Sequence, residues 1–203
     1  MGLFSKSSAD TLKGGIEKEY AARFRLAKEG ANLDEQQEKL LLTVLTLASV
    51  VGQTSVESLV QLSDGKIAQY INSKVNPVAI FRFSCLVVIS LLNRRRYNDS
   101  KYNEYNGISV DWVIQALSNV LEVEREYFDN FLSKEIKEYP DDPTGAMHEQ
   151  DFYLYSKILN DDFNLQDYIE KNEPATIITL EIMSKDKRHK LLEGFDQSMS
   201  MKE

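Results

Sequence analysis

The chain has 203 residues, of which 42% are hydrophobic, 10% aromatic and 28% charged, and its formal net charge is -8. A chain of this length and composition can bury a sizeable core, which excludes global disorder. The one cysteine, Cys85, excludes an internal disulfide and lies in an apolar stretch, a pattern typical of a reducing compartment. We therefore expect a cytoplasmic protein.

Charge is divided unevenly between the two halves of the chain. Residues 1–110 carry 14 Lys/Arg and 11 Asp/Glu, whereas residues 111–203 carry 10 and 21. Within the second half, the stretch 122–173 has 15 acidic and 5 basic side chains. Such a stretch repels nucleic acid and attracts basic protein surfaces or cations. It predicts either a solvated acidic face or a docking surface for a basic partner.

Helical periodicity begins near the N-terminus. Apolar residues recur every three or four positions from Leu12 to Ala27 and predict a first helix that ends near Gly30. A second helix is expected to open at Asp34 and to break near Gly52. Two shorter helical pieces are expected after it, one ending near residue 62 and one over residues 67–71.

The most apolar stretch of the chain runs from residue 78 to residue 92 and predicts a helix that protein surrounds on every side. Asn76 caps well, and Pro77 suits a first helical position, so the two predict the start of this helix. It should end at the arginine triplet 94–96, where cations suit the negative end of the helix dipole. We expect the helix over 76–96 to be the centre of the fold.

The same stretch is too short for a membrane span. About 20 apolar residues are needed to cross a bilayer, whereas this run has 15 residues and includes Arg82. The first residues, MGLFSKSSAD, lack the apolar run of a secretory signal, and Lys6 occupies the Ser/Thr position of the myristoylation pattern. We expect no membrane span, export signal or lipid anchor.

The second half of the chain predicts further helices and no strand. Asn106 and Gly107 form a turn signal, and Ser109 is a good cap for the helix that follows. Apolar residues then form one stripe from 110 to about 139, which predicts a long helix that ends before the prolines of segment 140–145. Shorter helices over 147–159 and 165–171 and a last one over 175–192 are expected to follow.

Together these elements predict an all-α fold. We expect one domain over residues 1–203, built from roughly seven to nine helices, with the helix at 76–96 packed against the long helix at 110–139. Residues 1–8 and 195–203 are the candidates for flexible termini.

Three charged residues lie where apolar residues are expected. Arg82 is inside the central apolar stretch, and Glu124 and Glu135 lie on the apolar stripe of the long helix. Because arginine keeps its proton, Arg82 needs carboxylate or carbonyl partners or a water-filled cavity. We predict that it contacts Glu124 or Glu135, either as a buried ion pair or as the lining of a polar pocket.

Arginines and tyrosines alternate in the segment RRRYNDSKYNEY at 94–105. The candidate interface residues are Arg94, Arg95, Arg96, Tyr97, Tyr102 and Tyr105. Both residue types are enriched at protein interfaces, and together they also suit single-stranded nucleic acid. Because Asp99 and Glu104 dilute the positive charge, the segment favours protein contact, with nucleic-acid binding through Arg94 to Arg96 as an alternative.

Enzymatic and metal signatures are sparse. The two histidines, His148 and His189, complete no metal-binding motif, and Cys85 has no local cue for activation. We predict no catalytic residue, no metal and no cofactor. The sequence favours a non-enzymatic interaction or regulatory module, with self-association left open. It keeps a small-molecule or hydrolytic site around Arg82, Glu124 and Glu135 as the alternative.

Overall fold

The computed structural model describes the backbone of residues 2–29, 33–61, 66–72, 74–138, 143–161, 163–172 and 175–200. Side chains are described in these ranges except at 2–7, 135–138, 143–149, 169, 172 and 175–184. The helices in these ranges are α1 (Gly2–Glu29), α2 (Glu35–Gln61), α3 (Pro77–Asn98), α4 (Val110–Leu121), α5 (Glu126–Glu138), α6 (Pro143–Ile158), α7 (Leu165–Asn172) and α8 (Ala175–Ser200). Short 3-10 helices lie at Ile67–Tyr70 and Ser100–Tyr102, and β1 (Glu104–Tyr105) pairs with β2 (Ile108–Ser109).

The all-α prediction is confirmed, with α3 at the centre. This helix contacts α1, α2, α4, α5, α6 and α8, and every residue from Ser84 to Arg94 is buried. Because burial of one Leu, Ile, Val or Phe side chain is worth about 1.5–3 kcal/mol, the packing of α3 against its neighbours is a large part of what stabilises the fold.

The predicted helix starts are confirmed by their caps. The Asn76 side chain accepts a hydrogen bond from the Val78 amide at the start of α3, and Pro77 occupies the first helical position. At the start of α4, the Ser109 hydroxyl accepts from the Trp112 amide at 3.2 Å. These local bonds satisfy amides that would otherwise have no partner inside the helix.

The predicted break at Gly52 is wrong, because α2 continues through it to Gln61. A Cβ at Gly52 would lie 3.1 Å from the Ser84 hydroxyl and 3.3 Å from Ile16 Cγ2. The missing side chain lets α1 and α3 approach α2 closely. Glycine inside a helix costs about 1 kcal/mol relative to alanine, and this close packing offsets that cost.

The single long helix predicted over 110–139 is divided into α4 and α5. Glu122 lies in the left-handed region, with φ 54°, and ends α4. The Val123 amide then donates back to the Ser118 carbonyl at 3.0 Å, a bond typical of helix C-termini. Because Leu121 and Phe128 are both buried, the apolar periodicity continues across the break and does not reveal it.

The predicted turn at Asn106 and Gly107 closes a small hairpin, although no strand was predicted. Both residues have positive φ, 53° and 79°, as the tight turn of a two-residue hairpin requires. Each strand has only two residues, too few for an alternating pattern to be visible in the sequence.

Helix α8 continues beyond Leu192, the predicted end of the last helix. It reaches Ser200 and buries Phe195, so residues 195–200 of the proposed flexible tail are helical. At the other end of the chain, α1 begins at Gly2.

Two helices, α2 and α3, are long and apolar enough to cross a membrane by length and composition alone. In their most apolar windows, 61% and 72% of the residues are buried inside the protein. The core helices of soluble proteins meet the same criterion, so this is a weak indication of a membrane span.

Candidate functional site

Arg82 contacts the end of a helix. Its Nη2 donates to the Leu121 carbonyl at 2.9 Å, and Arg23 Nη1 donates to the neighbouring Val120 carbonyl at 2.8 Å. Arg23 also pairs with Glu122 at 2.9 Å. Two cations therefore satisfy the last carbonyls of α4, where the helix dipole is negative.

The structure does not bring Arg82 together with Glu124 within its described part. Glu124 is exposed in the turn between α4 and α5, because the helix on which its position was projected ends at Leu121. The side chain of Glu135 lies outside the described residues. The Nε atom of Arg82 is buried and has no hydrogen-bond partner in the described part of the chain.

The arginine triplet turns toward the protein. Arg94 is buried, and both terminal nitrogens of Arg95 donate to the Asp196 carboxylate, at 2.7 and 2.8 Å. Arg96 pairs with Asp111 at 3.2 Å. These contacts tie the end of α3 to α8 and α4 and reduce the positive charge that the triplet offers to a ligand.

Two of the three predicted interface tyrosines pack with Arg95. The guanidinium carbon of Arg95 lies 3.8 Å from the centre of the Tyr102 ring, and the Tyr102 and Tyr105 rings are 6.3 Å apart. Tyr105 also packs edge-on against Phe195 of α8, and the centres of the two rings are 4.7 Å apart. Tyr97 is 60% exposed and is not part of this cluster.

Beside this cluster lies an open groove of about 890 Å³ that we call the tyrosine groove. The first turns of α2, the end of α3, the segment from Lys101 to Asn106 and the last turns of α8 form its walls. Its lining includes Glu35, Lys39, Arg95, Tyr102, Glu104 and Tyr105. Three of the predicted interface residues thus meet side chains from a helix near the start of the chain.

The electrostatics of the groove follow from its ion pairs and from burial. The Asp196 carboxylate raises the pKa of Arg95, and hydrogen bonds from Arg95 and Lys101 lower the pKa of Tyr102. Burial raises the pKa of Tyr105, which is 8% exposed, and the positive charge of Arg95 partly opposes this rise. The Tyr105 phenol therefore stays protonated at pH 7.

The Tyr105 hydroxyl is buried and has no hydrogen-bond partner in the described part of the chain. A buried polar group without a partner costs about 1–3 kcal/mol. The Arg95 guanidinium beside this hydroxyl offsets part of that cost.

A second groove of about 450 Å³ opens along α2 toward α1, and we call it the apolar extension. Its lining combines the apolar side chains of Phe24, Leu42 and Leu47 with charged residues, namely Lys28, Glu35, Glu38 and Lys39. It shares Glu35 and Lys39 with the tyrosine groove, so the two grooves adjoin along the first turns of α2.

Sequence reasoning missed the parts of the site that come from distant helices. Glu35 and Lys39 carry no local pattern that separates them from ordinary helix-surface residues, and Asp196 lay in the segment predicted as a tail. Their proximity to Arg95 arises only when α2, α3 and α8 pack together.

No group of three or more His, Cys, Asp or Glu that could hold a metal ion occurs among the described residues. Comparison of the chain with protein-family models, curated proteins and solved structures found no match.

Proposed function

We propose that this protein is a non-enzymatic, cytoplasmic interaction module that docks a segment of a partner protein in the tyrosine groove. The observation that carries the proposal is the meeting of Arg95, Tyr102 and Tyr105 in one open groove with residues of α2 and α8. The volume of the groove lies within the range of about 300–1,000 Å³ that is common for ligand clefts.

The side chains of the groove are held in place before any ligand arrives. Asp196 and the Tyr102 ring fix the guanidinium of Arg95, and Phe195 supports Tyr105. Binding to side chains that are already ordered costs less conformational entropy. Tyrosine and arginine held in this way are typical of the residues that dominate the binding energy of protein interfaces.

The ion pairs favour a protein partner over nucleic acid. Arg95 and Arg96 are paired with Asp196 and Asp111, which leaves little free positive charge for phosphates. Nucleic-acid affinity depends largely on such charge. The acidic net charge of the chain favours the same choice.

Selection of random-sequence peptides on the immobilised full chain tests the proposal. The exposed Gln36 lines the groove, so Gln36→Trp should fill part of the space without removing a buried contact. We expect selected peptides to bind this variant at least about tenfold more weakly, a loss of about 1.4 kcal/mol. Gln166→Trp, at an exposed position of α7, is the matched control and should bind like the unmodified chain.

Equal binding to all three proteins would overturn the proposal, as would the absence of any enriched peptide. Size-exclusion chromatography with light scattering should give a monomer. A dimer that Gln36→Trp dissociates would instead assign the groove to a second copy of the chain.

A further inference from the structure

We infer that the occupant of the tyrosine groove is a basic, amphipathic protein segment. It places Lys or Arg side chains against Glu35 and Glu104 and an apolar side chain in the apolar extension. This inference rests on the proposed function and specifies the chemistry of the partner.

The charges of the groove that remain unpaired are negative. Arg95 is paired with Asp196, and Lys101 with Asp99 at 3.0 Å. Glu35 and Glu104, by contrast, are exposed, and their carboxylates make no ion pair or hydrogen bond among the described residues. Two free carboxylates at the rim attract a cationic segment and disfavour an acidic one.

The cationic side chains that line the groove already interact with other groups of the protein. Lys101 lies over the Tyr102 ring at 4.7 Å in addition to its ion pair, and Lys39 also makes an interaction within the protein. The charges of Arg95 and Lys101 are therefore partly neutralised before a ligand arrives, whereas the carboxylates of Glu35 and Glu104 are available to attract a cation.

The Tyr105 hydroxyl supplies a second and independent observation. The residue is 8% exposed and lines the groove, and its enclosed hydroxyl lies beside the Arg95 guanidinium without a hydrogen bond of ordinary geometry among the described residues. A phenol oxygen can accept a hydrogen bond from an ammonium or guanidinium group or from a peptide amide. A basic segment brings such donors into the groove that Tyr105 lines.

The apolar extension determines the other half of the ligand. Phe24, Leu42 and Leu47 offer an apolar wall, and the extension meets the tyrosine groove at Glu35. A segment that lies along both grooves therefore needs an apolar side chain beyond its basic ones. Burial of one such side chain supplies the hydrophobic part of the affinity, and the basic residues supply selectivity.

The charge of peptides selected on the full chain, together with a charge reversal, tests the inference. We expect groove-binding peptides to be enriched in Lys and Arg next to an apolar residue. Their affinity, measured by fluorescence anisotropy, should fall by more than about tenfold for Glu35→Lys combined with Glu104→Lys. Selection repeated on this double variant should yield acidic peptides.

The matched control is Glu126→Lys combined with Glu170→Lys, which makes the same change in net charge at exposed sites of α5 and α7. It should change the affinity by less than about threefold. If the reversed groove variant loses helical circular dichroism, Glu35→Gln with Glu104→Gln replaces it, and a loss of several-fold is expected.

Three results would overturn the inference. Groove-binding peptides that are neutral or acidic would leave the proposed docking function standing and remove the basic partner. Equal losses in the groove and control variants would mean that only the overall charge matters. Peptides insensitive to Gln36→Trp would remove the inference and the docking function together.

Discussion

Two adjacent glycines in α1 have different surroundings. A Cβ at Gly15 would lie 2.7 Å from Cγ of the Pro77 ring, whereas a Cβ at Gly14 would meet nothing within 4 Å. Proline is rigid and begins α3, so it has little freedom to move away. Gly15 therefore permits the contact between α1 and the start of α3, and Gly14 only weakens the helix.

Alanine at these two positions should have opposite effects on stability. We expect Gly14→Ala to raise the free energy of unfolding by about 0.5–1 kcal/mol, because alanine favours the helix. Gly15→Ala should lower it by about 1–3 kcal/mol, because the overlap with Pro77 forces the helices apart. Urea denaturation measures both changes, and stabilisation by both alanines would contradict the packing described for Gly15.

The role of Arg82 can be tested against the ion pair that the sequence suggested. Arg82→Met leaves the Leu121 carbonyl without its partner and should lower the free energy of unfolding by about 1–3 kcal/mol. Glu124→Gln should change it by less than about 0.5 kcal/mol, because Glu124 is exposed. In a double-mutant cycle, a coupling energy above about 0.5 kcal/mol between the two changes would favour the ion pair instead.

At the scale of elements, α8 is anchored by a polar contact in its middle. Lys187 Nζ lies 2.8 Å from the Asp151 carboxylate of α6 and 3.1 Å from the Ser55 hydroxyl of α2. Asp151 is 2% exposed, so its carboxylate is shielded from water and Lys187 is one of the groups that stabilise it. This contact and the Arg95 pair hold α8 at two places along its length.

Loss of Lys187 should therefore destabilise the protein strongly. We expect Lys187→Met to lower the free energy of unfolding by about 3–5 kcal/mol, because it leaves the Asp151 charge buried without this partner. Lys190→Met is the matched control on the same helix. Lys190 pairs with Asp186 on an exposed surface, so its loss should change the free energy of unfolding, measured by urea denaturation, far less than the loss of Lys187. Similar losses of the free energy of unfolding in the two variants would show that the buried ion pair contributes no more to stability than the exposed one.

Local chemistry decides which elements could be predicted from the sequence. The start of α3 at Asn76 and Pro77 and the cap at Ser109 depend on neighbouring residues, and both predictions are confirmed. The continuity of α2 at Gly52 depends on contacts with α1 and α3, and the end of α4 at Glu122 depends on one left-handed residue. The periodicity of the apolar residues reveals neither the continuity of α2 nor the end of α4.

In the candidate site too, contacts between residues close in sequence could be predicted and contacts between distant helices could not. Arg95, Tyr102 and Tyr105 are close in sequence, so their interleaving could be read as one segment. Glu35 and Asp196 reach them only through helix packing, which a single sequence does not display. The sequence indicates that Arg82 needs a partner but not which partner it has. Arg82 binds the Leu121 carbonyl and Arg23 binds the Val120 carbonyl, and no pattern of side chains reveals these backbone acceptors.

For the whole molecule, burial makes the stability sensitive to alkaline pH. Burial raises the pKa of Cys85 and of Tyr155 well above their ordinary values. Both groups stay protonated in the folded protein at pH values where they ionise in the unfolded chain. Their contribution is therefore complete below the unfolded pKa values, about 8.5 for Cys and 10 for Tyr, and decreases as the pH rises beyond them.

We expect the free energy of unfolding, measured with urea at pH 7, 9 and 10, to fall over this interval. Cys85→Ala should reduce the fall between pH 7 and 9, and Tyr155→Phe should reduce it above pH 9, whatever their effects at pH 7. A pH dependence that is identical in all three proteins would contradict this account of the buried core.

The central claim, that a partner segment docks in the tyrosine groove, is tested most directly by the NMR signals of the tyrosine rings during titration with a selected peptide. Tyr102 and Tyr105 line the groove, whereas Tyr127 and Tyr153 are exposed on α5 and α6. We predict saturable shifts of the Tyr102 and Tyr105 signals with those of Tyr127 and Tyr153 unchanged. Shifts at Tyr127 and Tyr153 without any at Tyr102 and Tyr105 would contradict the claim.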